Sequence, residues 1–392
     1  MISVAAARDA LLSLVQPTGV ETVRLRDAAG RVLARDVAAT GPQPPFPASA
    51  MDGYAVPVDA PPKGTSFRVV GTSAAGHPFA RPLGDGEAVR IFTGAVVPPG
   101  ARHVVIQEDV ERSGDGIIVA ADPGRSANIR PAGGDFDAGH VVSGGRAIRP
   151  QEVALLGAMG HGDLPVRRRP AVAIMSTGDE LRAPGEALDP GAIHASNGEA
   201  IAALLSGWGA EVRRLPLVRD TAESLALAFD LARGADLVVT IGGASVGDHD
   251  LVAPAAQAAG FDLRFQKVAI RPGKPLMAGS GPDGAMVGLP GNPVSAFVCA
   301  LVFLRPMIDR LLGRADRDAS EARVLAAPLA ENGPRAHYMR AATTEDGRSK
   351  VAERQDSSLL SVLAESDHLV IRPPHDPART AGDTVEVLPL PA

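Results

Sequence analysis

EVRRLPLVRDTAESLALAFDLARGADLVVTIGG (211–243) changes its periodicity twice within one short stretch. EVRRLPLV (211–218) and DLVVTIGG (236–243) have the length and β-branched content of strands. Between them DTAESLALAFDLARG (220–234) repeats apolar residues with the helical period, with Asp220 as the expected N-cap and Glu223 three residues on. Strand, helix and strand in that order specify a crossover between parallel strands. The same alternation runs outward in both directions. Upstream, AVAIMST (171–177) is a strand and SNGEAIAALLSGWG (196–209) a helix whose Ser196 and Glu199 are spaced as a capping box. Downstream, HDLVAPAAQAAG (249–260) is a helix, and FDLRFQKVAI (261–270), LMAG (276–279) and AMVGL (285–289) are strands. A long helix then starts at Pro293, and Pro306 is expected to kink it. A sheet covered by helices on both faces follows, with ligands expected at the carboxyl ends of its strands. Three unusual loops follow strands directly: STGDEL (176–181), IGGASVGDHD (241–250) and IRPGKP (270–275).

The flanking sequence reads differently. Residues 3–16 form an amphipathic helix that stops at Pro17 and Gly19. From 22 to 147 short β-like pieces alternate with Gly, Pro and Asp: FRVVG (67–71), AVRIFTG (88–94), HVVIQEDV (103–110) and GIIVAAD (116–122). RPQEVALLGAMGHG (149–162) is a helix opened by Pro150, expected to rejoin the N-terminal helix so that the β region is partly an insertion. ADRDASEARV (315–324) reads as a linker, and YMRAATT (338–344), HLVIRPP (368–374) and DTVEVLPL (383–390) as a small β-barrel or sandwich.

The 392 residues exceed one ordinary domain, and 45% hydrophobic with 21% charged residues is globular composition. A net charge of −6 argues against general nucleic-acid binding, which needs a broad basic excess. The one compact basic run, Arg167-Arg168-Arg169, reads as a solvated linker. The single cysteine, Cys299, lies in the apolar stretch VSAFVCALVFL and reads as inert core. It permits no disulfide within the chain, which fits a reducing compartment. The N-terminus has no signal-peptide pattern and no apolar run is long enough to span a bilayer, so a soluble cytoplasmic protein is expected.

Two cations, Arg271 and Lys274, sit on a backbone stiffened by Pro272 and Pro275. LMAG-SGPDG-AMVGL is a hairpin, and folding it back brings this loop beside GLPGNPVSA (288–296). There Asn292 is a good N-cap and Pro293 a good first helical residue, so the amides of Val294 and Ser295 are expected to face an anion together with the Ser295 hydroxyl. Gly242, Gly243 and Ser245 offer a backbone cradle for phosphate. Asp248 and Asp250 follow at once, and STGDEL adds Asp179 and Glu180; oxygen ligands facing a phosphate cradle suit Mg²⁺. Asp250 reads equally as an N-cap. His194 and His249 are isolated and do not suggest zinc. In PPFPASAMDGYAV (44–56) the Asp52-Gly53 turn is flanked by apolar residues, either as a packed turn or as a carboxylate held at an interface.

Taken together, SAMDGYAV, RIFTGAVVPPGA with VVIQED, NIRPAGGDFDAG, STGDEL, IGGASVGDHD, IRPGKPL and GLPGNPVSA resemble, in the same order, the molybdopterin molybdenumtransferases, a group that includes the E domain of gephyrin-like proteins. The resemblance spans roughly residues 1 to 390. It implies a multidomain α/β plus β fold: an N-terminal helical and extended part (1–43, rejoined by 140–169), an inserted mainly-β domain (44–139), a three-layer molybdopterin-binding α/β domain (170–318) and a C-terminal β-barrel (319–392). It also implies an elongated homodimer with a shared cleft, in which Asp52 and Thr93 face Lys274 of the other subunit. The implied reaction inserts molybdate into adenylylated molybdopterin with Mg²⁺, giving molybdenum cofactor and AMP. A molybdopterin adenylyltransferase is the partner it allows. By resemblance Asp52, Thr93, Asp135, Glu180, Asp220 and Asp250 fall on acidic or hydroxyl positions of the cleft. Lys267, Lys274, Pro275 and Ser295 fall on pterin-phosphate and molybdate positions, joined by Arg340 and either Ser358 or Ser361. Arg271 departs from the usual lysine and gives a planar fork rather than a point charge. Ala195 stands where an acidic residue is usual, and QDSSLLS (355–361) lacks a glycine.

Two other functions compete. A molybdopterin adenylyltransferase shares the α/β domain but is usually a short single-domain chain without the SAMDGYAV region. A catalytically silent scaffold or pterin-binding regulator would be marked by loss of cleft residues, yet Asp52, Glu180, Asp250 and Lys274 are present.

Overall fold

The computed structural model describes residues 1–122, 124, 126–243, 251–315 and 320–391. Its centre is a six-stranded sheet in the order Glu211–Arg214, Ala171–Ser176, Leu237–Ile241, Ala285–Leu289, Pro275–Ser280, Asp262–Lys267. The first four strands are parallel; Pro275–Ser280 runs antiparallel to both its neighbours, so the edge strand Asp262–Lys267 again shares the direction of the first four. Alternate residues of each strand sort onto opposite faces, as strand geometry requires. Val172, Ile174, Val239 and Val287 pack with the helix Ser196–Gly207 and the helical stretch 293–311. Ala173, Met175, Val238 and Met286 pack with Ala222–Leu231 and Val252–Ala258. The helix that follows Ala171–Ser176 therefore covers one face and the next covers the other. That places the switch point between Ala171–Ser176 and Leu237–Ile241.

Two helix starts differ from the sequence expectation, and the long helix carries an internal wide turn. Ala195, not Ser196, precedes the first turn of Ser196–Gly207, and the capping box does not form. Glu199 pairs instead with Arg214 on the neighbouring strand, a tertiary partner that displaces the local one. Thr221, not Asp220, caps Ala222–Leu231 by accepting the Ser224 amide at 3.2 Å. In the long helix a widened π-turn, Ala300–Leu304, separates Pro293–Cys299 from Arg305–Leu311. The wider turn absorbs the backbone hydrogen bond that Pro306 cannot make.

FDLRFQKVAI is not one strand. It pairs with Pro275–Ser280 only as far as Lys267, with irregular register, and Ile270–Arg271 joins a different sheet, parallel to Ala336–His337. Ile2 bridges Val268 and accepts the Ala269 amide at 2.8 Å, so the segment carrying Arg271 is held on three sides. The C-terminal strands Glu321–Val324, Thr384–Pro389, His368–Arg372, Ala336–Thr343 and Ser349–Val351 pair in that sequence, and a Leu325–Ser349 bridge closes the ring.

The N-terminal helix Val4–Ser13 is capped by Ser3 and buries Ala7 and Leu11 with the 293–311 stretch. The helix Pro150–Ala158 belongs to a different core: Leu156 packs with Leu33, Val37 and Leu164, while Val20–Arg24 pairs with Asp163–Arg167. Between them lies a six-stranded sheet that includes Gly53–Val56, Ser66–Ser73 and Glu87–Ile91. The basic run is not a solvated linker. Arg168 makes two hydrogen bonds to Asp236, at 2.8 and 3.0 Å, and Arg167 donates to the Thr18 carbonyl at 2.9 Å. No described helix is long and apolar enough to cross a membrane.

Candidate functional site

The loops after three parallel strands interlock at the switch point. Thr177 donates its amide to Ile241 at 2.9 Å, and Gly242 donates to Leu289 at 3.2 Å. Gly242 (φ +91°) and Gly243 (φ +62°) lie in the left-handed region. A Cβ on Gly242 would stand 2.6 Å from the Thr177 carbonyl oxygen, and one on Gly243 would stand 2.3 Å from Val252 Cγ2. Both conformation and space demand glycine there. The Thr177 hydroxyl is buried among these glycines without a partner among the described residues. Asn197, which sequence reasoning passed over, ties in the fourth element by donating to the Gly291 carbonyl at 2.7 Å. Ser245, Asp248, His249 and Asp250 lie outside the described residues.

Carboxylates gather on one side of this edge. Asp179 Oδ1 accepts the Asp220 amide at 3.3 Å. Burial first, then the charges of Asp179 and Glu180, push the Asp220 carboxyl above its usual range. Among the described residues no three His, Cys, Asp or Glu side chains are placed to hold a metal ion. The mutual repulsion of Asp179, Glu180 and Asp220 nevertheless fits Mg²⁺, which takes one or two carboxylates and keeps several waters. A raised carboxyl pKa stabilises the fold below the unfolded value and loses that contribution as pH rises through the folded value. Asp220→Asn should therefore melt at a higher temperature than the parent at pH 7. The gap should close below about pH 4; a constant gap across pH in thermal melts would refute the repulsion.

A second cluster forms in the β-rich region. Asp52 Oδ1 accepts the Thr93 amide at 2.7 Å and the Thr93 hydroxyl at 2.8 Å. The amide first, then the hydroxyl, hold its carboxyl below the usual range, with Arg90 adding less. Arg90 lies over the rings of Tyr54 and Phe92. Two apolar side chains beside this pair are open to solvent, Met51 at 43% and Phe92 at 38% exposure. Ile129–Arg130 pairs with Ala48–Ser49 and brings NIRPAGGD alongside SAMDG. Asp135 is exposed, its amide donating to Gln43 at 2.9 Å.

The cationic loop occupies the other side of the switch point. Lys267, Arg271 and Lys274 are exposed and form no ion pair among the described residues. Pro275 opens a strand, and the Lys274 carbonyl accepts the Val268 amide at 3.0 Å. Gly273 (φ +110°) rests on Cys299, whose buried thiol is pushed to a high pKa. Arg335, which the sequence did not single out, donates to the Ile270 carbonyl at 3.5 Å. Burial and then Arg271, Arg335, Arg372 and Arg340 push His337 down to about 4, so it is neutral at pH 7.

The expected helix-terminus anion site is altered. Asn292 is the N-cap and Pro293 the first helical residue, but the Val294 amide donates to the Ser357 carbonyl at 3.1 Å. A donor so engaged is not offered to a ligand. Ser295 is buried at the first turn. Arg340 is 1% exposed, and its guanidinium donates to the carbonyls of Leu359 (3.1 Å) and Arg354 (3.3 Å) and to Gln355. It braces a loop instead of presenting a free fork. Ser358 turns to Asp356 at 2.6 Å, and Ser361 lies exposed in the helix Leu360–Ala364.

One constellation imitates a hydrolase. Ser349 Oγ lies 2.6 Å from His368 Nε2, and His368 Nδ1 bonds Asp367. Ser349 and His368 are both 0% exposed, so no substrate carbonyl can reach the hydroxyl. The arrangement ties strands together and has no access for nucleophilic chemistry.

Known proteins match along the whole chain. A family model described as the MoeA N-terminal region (domain I and II) matches residues 2–160, a probable molybdopterin binding domain matches 173–310, and the MoeA C-terminal region (domain IV) matches 322–390. Molybdopterin molybdenumtransferase from Haemophilus influenzae is 34% identical, over 100% of this chain and 99% of its own length. The namesake from Synechococcus elongatus is 33% identical over 100% of both. Two crystal structures of a molybdopterin biosynthesis MoeA protein from Pyrococcus horikoshii superpose at TM-scores of 0.87 and 0.83, with 29% and 26% identity and full coverage of both chains.

Proposed function

The chain belongs to the molybdopterin molybdenumtransferase family, and from that premise we propose that it inserts molybdate into adenylylated molybdopterin and releases AMP. The observation that carries this reading is the division of the switch point. Asp179, Glu180 and Asp220 crowd one side, while Lys267, Arg271 and Lys274 stand on the other without counter-ions among the described residues.

Molybdate is a tetrahedral dianion, and Lys274 with the Arg271 fork supplies fixed positive charge for it beside the Ser295 turn. Gly242, Gly243 and Thr177 form the floor on which the pterin phosphate rests. One or two of the carboxylates Asp179, Glu180 and Asp220, with waters, would hold Mg²⁺, which screens the negative charge of the adenylyl phosphates when bound. The rigidity of the two loops matters as much as their charge, because oriented groups need no rearrangement as charge shifts during cleavage.

A homodimer with a shared cleft belongs to the same proposal. Met51 and Phe92 are exposed apolar side chains beside Asp52, which is what a covering subunit would bury. Mixed dimers of Asp52→Ala and Lys274→Ala chains should regain activity that neither variant shows alone. No recovery would place both residues in one subunit's cleft. We assign the reaction to the cytoplasm as part of this proposal, because a single buried, unbridged cysteine suits a reducing compartment.

The deciding experiment incubates purified protein with adenylylated molybdopterin, Mg²⁺ and molybdate, and measures AMP. Release that needs all three is expected. Release without molybdate, or none at all, would overturn the reading. Mg²⁺ should also raise the melting temperature of the parent more than that of Asp220→Asn.

A further inference from the structure

The first turn of Pro293–Cys299 is held from two directions by parts of the chain far apart in sequence. From one side comes the cationic loop. A Cβ on Gly273 would stand 2.3 Å from Cys299 Sγ, at the helix's far end, and 3.7 Å from the Ser295 carbonyl oxygen, so the Gly273 backbone packs along this short helix and touches its first turn at Ser295. From the other side comes the loop 354–359. The Ser357 carbonyl accepts the Val294 amide at 3.1 Å, and Ser357 Oγ accepts from Asn292 Nδ2 at 2.9 Å.

The second loop is itself braced. Gln355 Oε1 accepts the Arg340 amide at 3.0 Å, and Gln355 Nε2 donates to the carbonyls of Arg340 (3.0 Å) and Ala352 (2.8 Å). Arg340 sits on Ala336–Thr343, the strand that pairs with Ile270–Arg271. The contacts therefore run in a circuit. Arg271 is joined through that strand to Arg340, then to the 354–359 loop, then to the helix turn, and through Gly273 back to Arg271.

We infer that Asn292 and Ser357 are positioning residues that close this circuit and set the spacing between the Arg271/Lys274 loop and the Ser295 turn. The inference rests on the proposed function only in taking molybdate as the oxyanion held there. Neither side chain need touch the ligand. If the closure opens, the cations stay on the protein but lose their fixed distance from the Ser295 turn, and the oxyanion binds less tightly. Asn292 is exposed, so its released amide finds water and the fold loses little.

The test uses Ser357→Ala and Ser357→Thr in the full chain, with two readouts. In steady-state kinetics Ser357→Ala should raise KM for molybdate about three- to tenfold, the range expected for one net hydrogen bond, with kcat and melting temperature near the parent's. Ser357→Thr should restore the parent KM. In hydrogen exchange without substrates, the Val294 amide should exchange faster in Ser357→Ala than in the parent or in Ser357→Thr. An unchanged KM in an active variant, a loss confined to kcat, or unchanged Val294 protection would each overturn the inference. A parent that releases no AMP would defeat the proposed reaction, and the exchange comparison would still decide whether Ser357 closes the circuit.

Discussion

Lys274→Ala is expected to lower molybdate-dependent AMP release about a hundred- to a thousandfold, the usual cost of removing one fixed group that stabilises developing charge, while its melting curve overlays the parent's. The separation of the two readouts follows from where the residue stands. The Lys274 side chain is exposed and has no ion-pair partner among the described residues, so the fold is not expected to depend on it. Its backbone is another matter: the carbonyl accepts the Val268 amide at 3.0 Å, and alanine keeps that bond. Lys274→Arg should recover part of the loss, because it restores charge but replaces a compact ammonium with a planar fork. Activity of Lys274→Ala within a factor of about ten of the parent, equivalent to roughly 1.4 kcal/mol, would remove Lys274 from the anion site.

Much of the α/β architecture was legible because period and punctuation are local. The alternation in 171–243 fixed strands and helices, and the Gly-Pro-Asp-Gly turn fixed the hairpin, whose Ser280–Ala285 and Met277–Gly288 pairs are in the expected arrangement. Long-range competition hid the rest. Glu199 has the spacing of a capping partner, but Arg214 takes its carboxylate. Asp220 has the chemistry of a cap, yet it stands one residue early, and its amide is held by Asp179 Oδ1. The Val294 amide would face an anion in an isolated helix; a serine carbonyl from beyond residue 350 fills its place. No periodicity in RPGKP announces that Ile270–Arg271 leaves one sheet for another. The Asp52–Thr93 pair emerged only through family resemblance, and its two hydrogen bonds show why a carboxylate survives in that apolar turn.

Gly273→Ala is the substitution expected to damage both stability and activity. Two costs combine at this position. The backbone lies at φ +110°, where an L side chain is strained by about 1–3 kcal/mol. The added Cβ would also stand 2.3 Å from Cys299 Sγ, and overpacking of that kind costs about 1–3 kcal/mol more. The loop can escape only by lifting away from the helix, which carries Arg271 and Lys274 out of position, so AMP release should fall with stability. Cys299→Ala separates the two costs, because it removes the sulfur and leaves the dihedral angle as it was. Alone it should destabilise modestly through the space it leaves in a fully buried site. Combined with Gly273→Ala it should recover the steric part, so the double variant is more stable than the sum of the single losses predicts, by about 1–3 kcal/mol. Strict additivity in denaturant unfolding would show that backbone conformation alone demands glycine. It would also show that the thiol beneath the loop is a bystander to the position of its cations.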